Sequence, residues 1–203
     1  CFVRGPGAKA PLILSNNHVL ANENRGKRGD AILQPGAYDG GRRPRDVVAT
    51  LEKFVRLKRG QPNLADCATA RVVDGIDIEP AVIRDLGRLA GLGPALDEGI
   101  AVHKLGRTTG LTRGRVTAIE LDDVVVAFDE GNLSFDNQIE IEGAGDLPFS
   151  DGGDSGSLIV DGETRAVGLL FAGGDQGGRN GRGLTYANPI GTVLELLEVE
   201  LLI

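Results

Sequence analysis

Apolar residues in this chain come in short runs, each cut off by glycine, proline or a polar cluster. Residues 1–4 and 11–14 read as two strands joined by Gly5-Pro6-Gly7, a hairpin. Strand-like runs recur at 31–34, 47–57 and 67–73. After a break over 74–99 they resume at 100–104, 114–121, 124–128, 138–142, 157–160, 166–172 and 184–187. Many short runs bounded by turn residues are the pattern of an all-β barrel or sandwich. Three segments depart from it. Ser15-Asn16-Asn17-His18 suits a single helical turn with His18 near its start. Glu79-Pro80 opens a stretch in which Val82, Ile83, Leu86, Leu89 and Ala90 fall at helical spacing, which predicts a short connecting helix. Asn188-Pro189 offers an N-cap and a first-turn proline to a closing helix, or to a helical turn that runs into a last strand.

These elements divide the chain into a first β unit over 1–78, a connector over 79–99 and a second β unit over 100–203. The opening Cys1-Phe2-Val3 already reads as a strand, so the first strand of the first unit is expected upstream of residue 1.

Composition narrows the function. The 29 acidic residues outnumber the 22 basic ones, and a net charge of −7 disfavours phosphate-backbone binding as the main activity. The arginines around 25–28 and 42–45 are interrupted by glycine and proline and read as solvated loops. No run approaches a membrane span. No nucleic acid and no membrane are expected as partners; a homo-oligomer and an N-terminal domain outside this chain stay open. Cys1 and Cys67 are too few for a disulfide framework. One bridge is possible, but two reduced thiols are the preferred reading, which slightly favours the cytoplasm. Cys67 is expected as a buried thiol. With two histidines and no Cys-x-x-Cys or His-Glu-x-x-His spacing, no metal site and no cofactor are expected.

The chemistry centres on Phe149-Ser150-Asp151-Gly152-Gly153-Asp154-Ser155-Gly156-Ser157, which runs straight into an apolar strand. Glycines flanking a serine let the backbone turn sharply and approach a ligand. The amides of Gly153 and Ser155 are then candidates for stabilising an oxyanion. A tight turn with a solvated serine is the bland reading. A nucleophilic serine needs a base and an orienting acid. His18 follows a strand beside a polar turn, and Asp66 stands at the front of another strand. His103, inside an apolar run, suits a strand position better than a catalytic one, and Gly106-Arg107-Thr108-Thr109-Gly110 suits a turn. The order His18, Asp66, Ser155 excludes a nucleophile-elbow hydrolase, which runs Ser, Asp, His.

Leu14-Ser15-Asn16-Asn17-His18-Val19, Leu64-Ala65-Asp66-Cys67-Ala68 and Gly153-Asp154-Ser155-Gly156 together resemble the trypsin-like, chymotrypsin-fold serine proteases. The combination Asn-Asn-His-Val-Leu-Ala, Gly-Arg-Thr-Thr-Gly and Gly-Asp-Ser-Gly-Ser looks more narrowly like the plant narrow-leaf proteases and their bacterial relatives. The resemblance implies two antiparallel six-stranded β-barrels with the site in the groove between them, and a serine endopeptidase in which His18, Asp66 and Ser155 are catalytic. It also implies a P1 pocket with Phe149 at its base and Ser150, Phe171, Gly173 and Gly183 along its walls. No aspartate stands at the base position and no histidine in 165–173, so an apolar P1 residue is expected. Asp154 is expected either to be held by internal partners, without activation by a newly cut N-terminus, or to cap its own turn. The rival reading is a catalytically silent fold used for binding or regulation; an esterase on the same residues is a third.

Overall fold

The computed structural model describes residues 1–203 apart from Lys9 and Glu130. The chain opens with β1 (Phe2–Arg4) and β2 (Leu12–Ser15), the expected hairpin, with Phe2 opposite Ile13. One helical turn follows, α1 (Asn17–Leu20), then β3 (Ala31–Leu33), β4 (Val47–Phe54) and β5 (Ala68–Val72).

The connector is not helical. It forms a small hairpin of β6 (Val82–Ile83) and β7 (Gly87–Arg88), followed by β8 (Gly91–Leu92). Asp85 and Gly87 both adopt positive φ, 64° and 98°, which reverses the chain where a helix would have to continue. The apolar residues at helical spacing split between the arms of this reversal. Leu89 and Ala81 are buried, joined by a 2.7 Å bond from the Leu89 amide to the Ala81 carbonyl. Periodicity alone could not separate these two outcomes over so short a stretch.

The second half contains β9 (Ala101–Gly106), β10 (Gly110–Leu121), β11 (Val124–Phe128), β12 (Gly131–Phe135), β13 (Gln138–Gly143), β14 (Leu158–Asp161), β15 (Arg165–Gly174) and β16 (Leu184–Pro189). It ends in α2 (Ile190–Leu197) and β17 (Glu200–Leu201). Six strands close on themselves in the order β14-β9-β10-β13-β16-β15, because β15 also pairs with β14, and β8 adds in parallel to β15. The hairpin of β11 and β12 stands off this barrel; β12 had no counterpart in the sequence pattern.

The first half is a six-stranded sheet in the order β17-β1-β2-β5-β4-β3. Its edge is supplied by the C-terminal end of the chain, with Val3 opposite Leu201. Together the halves are an all-β fold of two six-stranded units.

Two cores meet at the strand that follows Ser155. Leu158 and Val160 of β14 pack into the core shared with β1, β2 and α2, while Ile159 points into the barrel interior. Burial of each such side chain stabilises by about 1.5–3 kcal/mol. A strand held on both faces is a rigid base for the loop before it. Asp66 is placed the same way, since its neighbours Ala65 and Cys67 both belong to the shared core.

Candidate active site

The helical turn carrying His18 receives its cap from a distant residue. Asn16 has extended N-cap geometry but makes no side-chain cap bond. The first N–H groups of a helix lack intrahelical partners. Here Asp66 Oδ1 accepts from the amides of Asn17 at 2.6 Å and His18 at 3.2 Å. The other oxygen, Oδ2, lies 2.6 Å from His18 Nδ1. A carboxylate at that nitrogen holds the proton there and leaves Nε2 as the basic nitrogen. Asp66 is fully buried, and the His18 side chain is 24% exposed.

Both halves of the molecule fix Asp66. Its carbonyl accepts from Asn16 Nδ2 at 2.8 Å, and its amide donates to Asn188 Oδ1 at 3.0 Å. Asn188 Nδ2 donates in turn to Gln138 Oε1 at 2.6 Å. The sequence pattern made Asn188 a helix cap; instead the N-cap position falls on Pro189, and the Asn188 side chain is buried under Asp66. A buried amide finds more partners in this polar cluster than at a solvated helix start, and buried polar groups must be paired.

The Ser155 loop is held from beneath. Asp154 is buried, and its carboxylate accepts from the Thr108 amide at 2.7 Å, the Thr109 amide at 3.2 Å, Thr109 Oγ1 at 2.6 Å and the Asp151 amide at 3.2 Å. Lys104 Nζ lies 3.0 Å from Asp154 Oδ2, with both side chains fully buried. Burial pushes the Asp154 carboxyl up, but the hydrogen bonds of Thr109, Thr108 and Lys104 together outweigh it and hold the group below its ordinary value. Asp154 is thus held by partners from the turn 106–110 and from Lys104, and through the Asp151 amide it also caps its own turn. Thr108 Oγ1 also donates to the Gly152 carbonyl at 2.7 Å. Lys104 was missed; its only signal in the sequence was a lone lysine inside an apolar strand.

Two glycines shape the loop. Gly153 has φ of +95°, and a Cβ on it would meet Thr108 Oγ1 and Arg107 Nη1. Gly156 has φ of +85°, and a Cβ there would collide with the Ser15 side chain, three residues before His18. The serine loop thus packs directly on the strand end that leads into the histidine. The amides of Gly156 and Ser157 are taken by the Leu170 and Asp154 carbonyls at 2.9 and 3.0 Å. Among the described residues no hydrogen bond occupies the amides of Gly153 and Ser155, and none engages the Ser155 hydroxyl. His18 and Asp66 are therefore joined, while Ser155 Oγ is free of both.

A cavity of about 110 Å³ opens beside Ser155, lined among others by Ser150, Asp151, Ala172, Gly173 and Asp175. Ser150 and Gly173 are among the residues that line this cavity. Phe149, Phe171 and Gly183 are not among its lining residues. Phe149 is 1% exposed inside the barrel core, with Lys104 Nζ 5.7 Å from its ring centre. Phe171 belongs to a cluster with Leu57, Leu133 and Phe135, and Gly183 packs over the Gly174 carbonyl. These aromatics gain more from full burial than from lining a small polar opening. On the other side of His18, Phe128 of β11 meets the imidazole edge-on at 6.1 Å. Cys67 is a buried free thiol whose pKa burial pushes up, and Cys1 is also free.

An all-β architecture of two six-stranded halves is the arrangement of the chymotrypsin fold. Solved structures share it over nearly the whole chain. Thermobifida fusca protease A matches at 20% identity and a TM-score of 0.64, covering 99% of this chain and 88% of that one. Cellulomonas bogoriensis chymotrypsin matches at 22% and 0.61, covering 99% and 87%. Nocardiopsis protease matches at 18% and 0.66, covering 100% and 90%. No protein-family model matches the chain, and no curated protein matches it in sequence. At these identities the likeness establishes the fold.

Proposed function

We propose that this chain is a serine endopeptidase. His18 acts as general base and then general acid, Asp66 orients it, and Ser155 attacks the peptide carbonyl to form an acyl-enzyme. The amides of Gly153 and Ser155 stabilise the oxyanion. The observation that carries this reading is the 2.6 Å contact of Asp66 Oδ2 with His18 Nδ1, which leaves Nε2 as the basic nitrogen, together with a Ser155 loop whose two candidate oxyanion amides are unoccupied among the described residues. The solved structures of the same fold are bacterial proteases, which supports a peptide or protein substrate.

The residues divide functionally into 1–78, which carries His18 and Asp66, a connector over 79–99, and 100–203, which carries Ser155. For the P1 residue we infer a small apolar side chain, with Ser150 and Gly173 on the pocket wall and Phe149, Phe171 and Gly183 packing behind it. A second reading is a basic P1 residue, favoured by Asp151 and Asp175 among the lining. The narrower kinship with the plant narrow-leaf proteases and their bacterial relatives rests on the three sequence motifs.

The test is labelling by a fluorophosphonate, comparing wild type with Ser155→Ala and His18→Ala. Labelling of wild type alone is the expected result. A folded wild type that stays unlabelled would favour the catalytically silent binding module. A peptide library varied at P1 would then separate the apolar from the basic preference.

A further inference from the structure

A second cavity, of about 390 Å³, shares Ser155 with the small pocket and no other residue. Its apolar lining includes Phe2, Val82, Leu105 and Leu158, and its charged lining residues are Arg84 and Arg107. The small pocket has the opposite polarity, since its charged lining residues are Asp151 and Asp175. Charge therefore reverses across the candidate nucleophile.

Arg107 is held in a set orientation. Its Nε and Nη2 face the carboxylate of Asp39, in the short turn Ala37–Asp39 of the first half, with Nε 3.0 Å from Oδ2. This leaves Nη1 as the edge nearest Gly153, 2.7 Å from the position a Cβ there would take. A guanidinium fixed along one edge presents its remaining donors at little entropic cost. Arg84, on the turn between β6 and β7, makes no ion pair among the described residues.

A peptide whose carbonyl sits at Ser155 extends away from it in two directions. In the function proposed above, the small pocket takes the acyl side, so the larger cavity faces the leaving group. We propose that this cavity binds the leaving-group segment of the substrate and selects a carboxylate there, from an acidic side chain or a free C-terminus. An acidic residue is repelled by Asp151 and Asp175 on one side and attracted by Arg84 and Arg107 on the other. The arrangement thus fixes the direction of the bound peptide as well as its composition. The inference rests on the proposed peptidase activity.

The experiment uses internally quenched peptides with one common acyl half. Their leaving halves carry Glu, Ala or Lys in the first two positions and end in an amide, and one further Ala peptide ends in a free carboxylate. The enzyme is first titrated with the fluorophosphonate. The expected result is a kcat/KM for Glu over Lys on the order of fivefold to tenfold at low salt, shrinking as salt screens the arginines. Arg84→Gln should bring the ratio towards one, and Arg84→Lys should restore it. The ratio is taken within each variant, so a loss of folded protein does not mimic the effect. A gain in the Glu arm assigns the carboxylate to a side chain; a gain only in the free-acid arm assigns it to a chain end. Equal rates in all arms from a titratable enzyme would overturn the inference and leave the peptidase reading intact. An enzyme that does not titrate would overturn both.

Discussion

Lys104 Nζ and Asp154 Oδ2 lie 3.0 Å apart, and neither side chain has any exposure to solvent. The pair joins β9 to the residue directly before Ser155, so the serine loop is anchored in the barrel by charge as well as by packing. Removing one partner of a buried pair leaves the other without compensation, at a cost of about 3–5 kcal/mol. Lys104→Met should therefore lower the melting temperature by roughly 6–20 °C, taking about 2–4 °C per kcal/mol for a chain of this size. Lys104→Met combined with Asp154→Asn should recover much of that loss. If the single and double variants melt together, the pair is not what secures the loop.

Acid should act through the same group. The hydrogen bonds of Thr109, Thr108 and Lys104 leave Asp154 below its ordinary value despite burial. A carboxylate whose folded pKa is depressed contributes its full stability above the unfolded value, about 3.9. That contribution is lost as pH falls through the folded pKa. Thermal unfolding between pH 7 and pH 2 should show wild type losing stability more steeply over the acid end than Asp154→Asn. Parallel curves would count against this assignment.

Asp66→Asn keeps the shape of the site but replaces an acceptor facing His18 Nδ1 with a group that can donate. The imidazole then loses its enforced tautomer, and kcat should fall by about 10⁴-fold near neutral pH. The same substitution weakens the cap on α1, because Oδ1 also accepts from the Asn17 and His18 amides. Steady-state kinetics alongside circular dichroism would separate the two effects: activity should collapse while the fold persists.

Asn188→Leu should act at a distance from the chemistry. It removes the acceptor of the Asp66 amide and the donor to Gln138, leaving buried polar groups unpaired at about 1–3 kcal/mol. The expected result is a loss of stability together with a lower kcat, since the orientation of Asp66 depends on this contact. Unchanged unfolding in denaturant would show that Asn188 does not carry the load assigned to it.

How much of the site was legible in sequence follows from the range of the forces involved. His18, Asp66 and Ser155 could be picked out because each stands at the junction of a strand and a turn, where local residue types show. The β1–β2 hairpin and the strands of the second barrel were legible for the same reason: alternation and glycine punctuation are local signals. The helix expected over the connector failed because Asp85 and Gly87 take left-handed conformations in a hairpin anchored by Ala81 and Leu89.

By itself the sequence determined that the chain is all-β, that its strands fall in two groups, and that a serine, a histidine and an aspartate recur at strand ends in a fixed order. Only the tertiary structure decided that Lys104 and the Thr108-Thr109 turn hold Asp154, that Asn188 sits beneath Asp66, and that Phe149 belongs to the core. It also decided that β17 edges the first sheet and that arginines line one side of Ser155 while aspartates line the other. Each of these joins residues far apart in the chain, through burial or through pairing of charges and amides. Such energies depend on which surfaces meet, and no local run of residues encodes that meeting.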